Sequence, residues 1–146
     1  MVDLQPGHPW YLVGPWLHKL LGTFTLFLLL VRFFWHLITP PPPPLENHGL
    51  VEKKIATITH GLLNLLLLLV CIVGNIIILS TSDPYSPYGT FNLSEVLGIE
   101  NLEFIATQTH LILASVLMSL VVFHVLAAIK HHLIDKDRTL KRMLGL

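Results

Sequence analysis

Three long apolar runs divide the chain, and each is interrupted by only a few polar side chains. They cover residues 16–38, 55–79 and 105–129, and none of them contains Asp or Glu. A helix needs about 20 apolar residues to cross the hydrocarbon core of a bilayer. We therefore predict an all-α membrane protein with three transmembrane helices that form a single domain over residues 1–146.

The segments between these runs contain residues that end helices. The five prolines of residues 40–44 lack backbone donors and predict a stiff spacer between two helices rather than an SH3-type ligand. Residues 80–104 predict a loop, in which Ser94 is expected to cap a short helix. Residues 1–15 are rich in aromatic, Pro and Gly residues and are expected to lie at the membrane interface.

The basic residues are distributed unevenly and predict an orientation. The linker before the second run carries two lysines, and the tail from residue 130 carries five Lys or Arg. Residues 80–104 carry none and have four acidic residues instead. Under the positive-inside rule, the linker and the C-terminus are cytoplasmic, whereas the N-terminus and residues 80–104 are outside.

The composition excludes several kinds of function and draws attention to the histidines. The net charge of zero gives no basic field for nucleic acid. The single cysteine, Cys71, excludes a disulfide or a four-thiolate centre within one chain. Nine histidines in 146 residues, several of them inside the apolar runs, are the unusual feature.

The intramembrane histidines recur at depths that match between helices. His110 and His124 are 14 residues apart on one helix, so they face nearly the same way and are separated by about 21 Å along its axis. His18 matches the depth of His110 near the outer face, while His60 and Arg32 share the inner half with His124. Ionisable groups inside a membrane usually serve a function. The pattern predicts two metal centres stacked across the membrane; the alternative is that both histidines merely pack between helices.

Haem fits such pairs of imidazoles better than zinc does. Zinc sites in proteins use three or four protein ligands, whereas haem supplies four nitrogens and needs only two axial ligands. Arg32 and Lys19 are candidates for binding haem propionates or a quinone headgroup, or they extend towards the interface. His60 and Asn64, one turn apart, could hold a quinone carbonyl, relay protons or simply pack.

Three stretches carry a recognisable pattern: LHKLLGTFTLFLLLVRFFW, the proline-rich linker before a Glu-led helix, and the closing THLILASVLMSLVVFHVLAAIKHHLIDKDRTLKRM. They resemble the bacterial cytochrome b561 family, which shares its fold with the membrane cytochrome subunits of nickel–iron hydrogenases. The resemblance covers essentially the whole chain. It implies a four-helix, di-haem, quinone-linked electron carrier, multi-pass in the bacterial cytoplasmic membrane. By position, His18 and His110 would ligate an outer haem b and His124 an inner one, and His60 would belong to cofactor or quinone surroundings.

The chain departs from this family at its start. The family's first helix, which brings the other ligand of the inner haem, is absent before the opening MVDLQPG. We expect Met1 to be an internal methionine of a longer reading frame, or the chain to be a fragment. Otherwise His60 or a partner protein would have to supply that ligand, or the inner haem is not bound.

The resemblance implies electron transfer between the quinone pool (ubiquinone is one candidate) and a partner at the outer face. Some members of the family resemble quinone-linked superoxide oxidases. One alternative is a cytochrome b anchor for a peripheral oxidoreductase. Another is a histidine-lined metal or proton transporter, against which the lack of acidic residues in the apolar runs argues. The expected partners are the lipid bilayer, a quinone, an outer redox protein and, as an open alternative, a second copy of the chain.

Overall fold

The all-α prediction is confirmed in a computed structural model, which describes residues 8, 10–39, 50–81 and 91–134. Four helices follow one another: α1 (Trp10–Ile38), α2 (Leu50–Ser80), the short α3 (Leu93–Leu97) and α4 (Leu102–Leu133). Helices α1, α2 and α4 are each long and apolar enough to cross a membrane. The proline spacer, residues 82–90 and the tail from residue 135 lie outside the described residues.

Helix α2 is the central element, because it packs against both α1 and α4 and most extensively against α4. It runs antiparallel to both neighbours. On the α1 side, Thr23 bonds to Asn75 and Arg32 bonds to Asn64. On the α4 side, His110 meets the segment around residue 70, whereas His124 meets His60.

The buried side chains are few and lie on α2 and α4: Leu66, Cys71, Ile78, Ser80, Ala106 and Ala128. Most other apolar side chains are exposed, including Phe27 and Phe123, with about two thirds of their surface accessible. Exposed aromatic and aliphatic groups on this scale would aggregate in water. Lipid tails are as apolar as these side chains, so the same surface is suited to a bilayer.

Helix α1 begins six residues earlier than the predicted span, so residues 10–15 of the expected interfacial segment are helical. His8 accounts for this start, because its Nδ1 accepts the backbone N–H of Trp10 at 3.2 Å. Pro15 lies inside the helix. Its missing N–H would have bonded to the carbonyl of Tyr11, which is close enough to the exposed helix end for water to replace it.

The cap of the short outer helix also differs from the prediction. Asn92, not Ser94, is the N-cap of α3, and its side chain accepts the N–H of Ser94 at 2.9 Å. Asn is at least as good an N-cap as Ser, so the sequence allowed either choice. Gly98, with a φ of 63°, ends the helix in the left-handed region that glycine adopts without strain.

Candidate functional site

The structure brings the two outer histidines together. The rings of His18 on α1 and His110 on α4 have centroids 6.1 Å apart and planes at 84°. Both residues lie in the first third of their helices, and these helices run in the same direction along α2. The contact therefore joins two chain segments that are 92 residues apart in the sequence.

The tautomer of His110 is set by a backbone carbonyl. Its Nδ1 lies 3.0 Å from the carbonyl oxygen of Val70 on α2. A carbonyl oxygen only accepts hydrogen bonds, so Nδ1 must carry the proton and donate it. In the neutral ring, Nε2 then keeps a free lone pair, which is the state of a metal-binding imidazole whose other nitrogen is hydrogen-bonded to the protein.

Gly74 makes room for this contact. A Cβ atom added at Gly74 would lie 3.1 Å from Cε1 and 3.3 Å from Nδ1 of His110. Glycine inside a helix costs about 1 kcal/mol relative to alanine, so close packing is a physical reason for it here. By contrast, a Cβ atom at Gly22, one turn after His18, would meet nothing within 4 Å.

The outer pair is compatible with axial ligation of one metal. Two imidazoles in line on one metal ion have two bonds of about 2.0 Å and two ring radii of about 1.1 Å between their centres, or about 6 Å in total. The observed separation is 6.1 Å. Among the described residues, no three His, Cys, Asp or Glu side chains converge as a zinc site would require. The donor set therefore fits a haem, which needs only two protein ligands.

A second pair of imidazoles, called the inner pair after the predicted orientation, lies towards the other end of α4. His60 on α2 and His124 on α4 have ring centroids 5.3 Å apart and planes at 72°. This separation is shorter than in-line ligation by both rings requires. The geometry instead suits edge-to-face contact between neighbours. His60 is exposed, whereas His124 is half-buried.

Arg32 lies at the inner end of the same region and links α1 to α2. Its Nη1 donates to Oδ1 of Asn64 at 3.2 Å, and its Nε donates to Nε2 of His36 at 3.4 Å. These side chains line an open groove of about 200 Å³, whose other walls are Leu29, Leu30, Phe33 and Leu68. Asn64 is one turn beyond His60, so a polar stripe about 6 Å long on α2 connects the groove to the inner pair.

Sequence reasoning missed the part of α2 that holds the outer pair. Besides Val70 and Gly74, this part includes Asn75, whose Oδ1 accepts the hydroxyl of Thr23 on α1 at 3.0 Å. The available signals were a glycine and an asparagine side by side within an otherwise aliphatic run. Polar residues in such a run usually face the protein interior.

Comparison with known proteins identifies the family. The sequence model described as prokaryotic cytochrome b561 matches residues 1–146. The chain belongs to the prokaryotic cytochrome b561 family. Cytochrome b561 homolog 2 of Escherichia coli strain K12 is 38% identical over 146 residues, covering 99% of this chain and 78% of the relative. No solved structure matches the chain significantly.

Membership in the cytochrome b561 family defines the general activity. The protein is a multi-pass inner-membrane haem b electron carrier. Haem b supplies reversible one-electron chemistry at its iron, and the protein tunes the reduction potential through its ligands and through burial of the haem. The resemblance seen in the sequence is thereby confirmed.

Proposed function

We propose that this protein passes electrons between the quinone pool and a redox partner at the outer face, through haem sites aligned along α4. His18 and His110 would hold the outer haem, and His124 would hold the inner one together with a second ligand from outside the described residues. The observation that carries the proposal is the outer pair. Its rings have the separation of in-line ligands, and the Val70 carbonyl fixes the proton of His110 on the nitrogen that does not bind metal.

The spacing of the histidines on α4 supports transmembrane transfer. His110 and His124 are about 21 Å apart along the helix axis, so the two sites lie near opposite faces of the hydrocarbon core. The hydrocarbon of the bilayer around them excludes water and lowers the local dielectric, which makes each fixed dipole more effective. His60, in edge contact with His124, belongs to the surroundings of the inner site rather than to its ligand set.

The Arg32 groove is the proposed quinone site. A quinone carbonyl is a hydrogen-bond acceptor, and Arg32 carries donors on three nitrogens, of which Nε and Nη1 face His36 and Asn64. The wall of leucines and Phe33 suits an apolar ring. The groove opens towards lipid, where a hydrophobic quinone is dissolved, and the polar stripe to His60 connects it to the inner haem site.

Spectroscopy of purified protein tests the proposal. We expect a reduced-minus-oxidised spectrum with a b-type α band, and we expect addition of a quinol to produce the same band without any other reductant. Absence of the band would refute haem binding. A band that appears with dithionite but not with a quinol would leave a haem protein without the proposed quinone link.

The Arg32→Gln variant locates the quinone step within this experiment. Removing a charged donor of the kind that contributes 1.5–3 kcal/mol should slow reduction by quinol about tenfold or more, while the dithionite band stays unchanged. Lys54→Gln is the matched control, since it removes an exposed positive charge from the same membrane side but outside the groove. Equal rates in the two variants would contradict a role for the groove.

The proposed orientation places the C-terminus in the cytoplasm and residues 82–90 outside, as the distribution of Lys and Arg indicates. A fluorescent protein fused to Leu146 is expected to fluoresce in whole cells. Alkaline phosphatase inserted within residues 82–90 is expected to be active. The reverse pattern would overturn the orientation and exchange the outer and inner labels of both sites.

A further inference from the structure

We propose that one turn of α2, residues 70–75, positions both histidines of the outer haem site, with Gly74 as the main positioning residue. This inference rests on the proposed haem ligation by His18 and His110. Helix α2 brings no ligand to that site. Its proposed role is to fix the distance between α1 and α4, which bring the two histidines, and to fix the orientation of their rings.

The first set of contacts made by residues 70–75 faces α4. The Val70 carbonyl receives Nδ1–H of His110, and Gly74, one turn later, leaves the space that the imidazole ring occupies. These two residues are stacked on the same side of α2, because positions four apart in a helix are neighbours. Together they form a notch that fixes both the depth of the ring and its rotation.

The second set of contacts faces α1 and is shifted by one residue. The Cys71 carbonyl accepts Nδ2–H of Asn75 at 2.9 Å, which holds that side chain in place. Oδ1 of Asn75 then accepts the hydroxyl of Thr23 at 3.0 Å. Residue 71 is next to residue 70 and residue 75 is next to residue 74, so this row lies about 100° around the helix from the notch.

The two rows explain why α1 and α4 meet beside this turn. A helix held about 100° around α2 from another lies close enough for side chains of the two to touch. His18 precedes Thr23 by five residues, so the hydrogen bond to Asn75 fixes α1 about 7.5 Å from the ligand. The 6.1 Å between the rings is therefore set by contacts with α2 on both sides.

Gly74→Ala in the full-length haem-loaded protein tests the notch. The added methyl group requires the His110 ring to move by a few tenths of an ångström. We expect the low-spin electron paramagnetic resonance signal of the outer haem to shift and its midpoint potential to change, while the inner haem signal stays the same. Gly74→Val should enlarge both effects and lower outer-haem content. Gly61→Ala is the control, because a Cβ there meets nothing within 4 Å.

Two results would overturn the assignment. Unchanged resonance and potential in both Gly74 variants would show that the ring does not depend on the notch. Equal loss of both haems, with aggregated protein in size exclusion, would show that Gly74 serves helix packing alone. The haem content of the wild-type protein is measured first. If that protein bound no haem, the proposed function itself would fail, independently of any variant.

The α1 side has its own matched pair of variants. Thr23→Val removes the hydroxyl that reaches Asn75, and we expect a shift of the outer haem signal in the same experiment. Thr25→Val removes a hydroxyl that bonds only within α1, to the Leu21 carbonyl, and should leave the signal unchanged. Identical signals from the two variants would limit the positioning role to Gly74.

Discussion

His110→Ala is expected to remove the outer haem completely, lowering the haem content by one per chain. The variant loses a proposed haem ligand, whose ring centroid lies 6.1 Å from that of His18 and whose Nδ1 is hydrogen-bonded to the Val70 carbonyl. A haem held by one remaining imidazole in an apolar site has neither its second bond nor the orientation that the Val70 carbonyl provides. Pyridine haemochrome quantification of purified protein, together with the difference spectrum, measures the loss. His18→Ala should give the same result.

Thr109→Ala is the control for this experiment. Thr109 precedes His110 on α4, and its hydroxyl donates to the Ile105 carbonyl of the same helix, so the substitution leaves the outer pair untouched. A full haem complement in His110→Ala would refute the ligand assignment. Loss in His110→Ala but not in His18→Ala would leave only α4 with a role in ligation.

The inner pair is expected to respond unequally to substitution. His124→Ala should eliminate the inner haem, whereas His60→Ala should retain it with a changed midpoint potential. The reason is the 5.3 Å between the rings, which is too short for both to bind one iron in line but allows His60 to act on His124 as a polar neighbour. Redox titration monitored at the α band measures the midpoint potential of each haem that a variant retains.

Ser119→Ala serves as the control on α4, since the Ser119 hydroxyl bonds to the Ser115 carbonyl of its own helix. If His60→Ala also lost one haem per chain, His60 would be a ligand, and the two rings would have to separate when haem binds. Retention of both haems in His124→Ala would remove the inner site from the proposal. The outer haem should be unaffected in every one of these variants.

The polar groups that α2 presents differ between the two proposed sites, and this difference suits the sites to different roles. At the end of α2 near the outer pair, the Val70 carbonyl accepts from His110 and the Asn75 side chain accepts from Thr23. At its inner end, α2 presents His60 and Asn64 to the groove and to α4. A rigid outer site suits electron exchange with little reorganisation, whereas a groove open to lipid suits a ligand that enters and leaves.

Depth was the part of the site that could be read from the sequence. Helical rise converts residue number into position across the membrane, so the match between His18 and His110 was predictable once the spans were known. The structure brings these two rings together as expected. For His60 the sequence left three interpretations open, and only the folded chain places its ring beside His124.

The sequence by itself determined the class of protein, the three membrane helices, the order of the histidines along them and, through its similarity to the prokaryotic cytochrome b561 family, haem-based electron transfer. Only the tertiary structure decided which face of α2 meets which neighbour, and thus the roles of Val70, Gly74 and Asn75. In water, alternation of polar and apolar residues reveals the buried face of a helix. In a bilayer both the lipid and the protein core are apolar, so that pattern is weak, and the contact face is set by a glycine's missing side chain and a few hydrogen bonds.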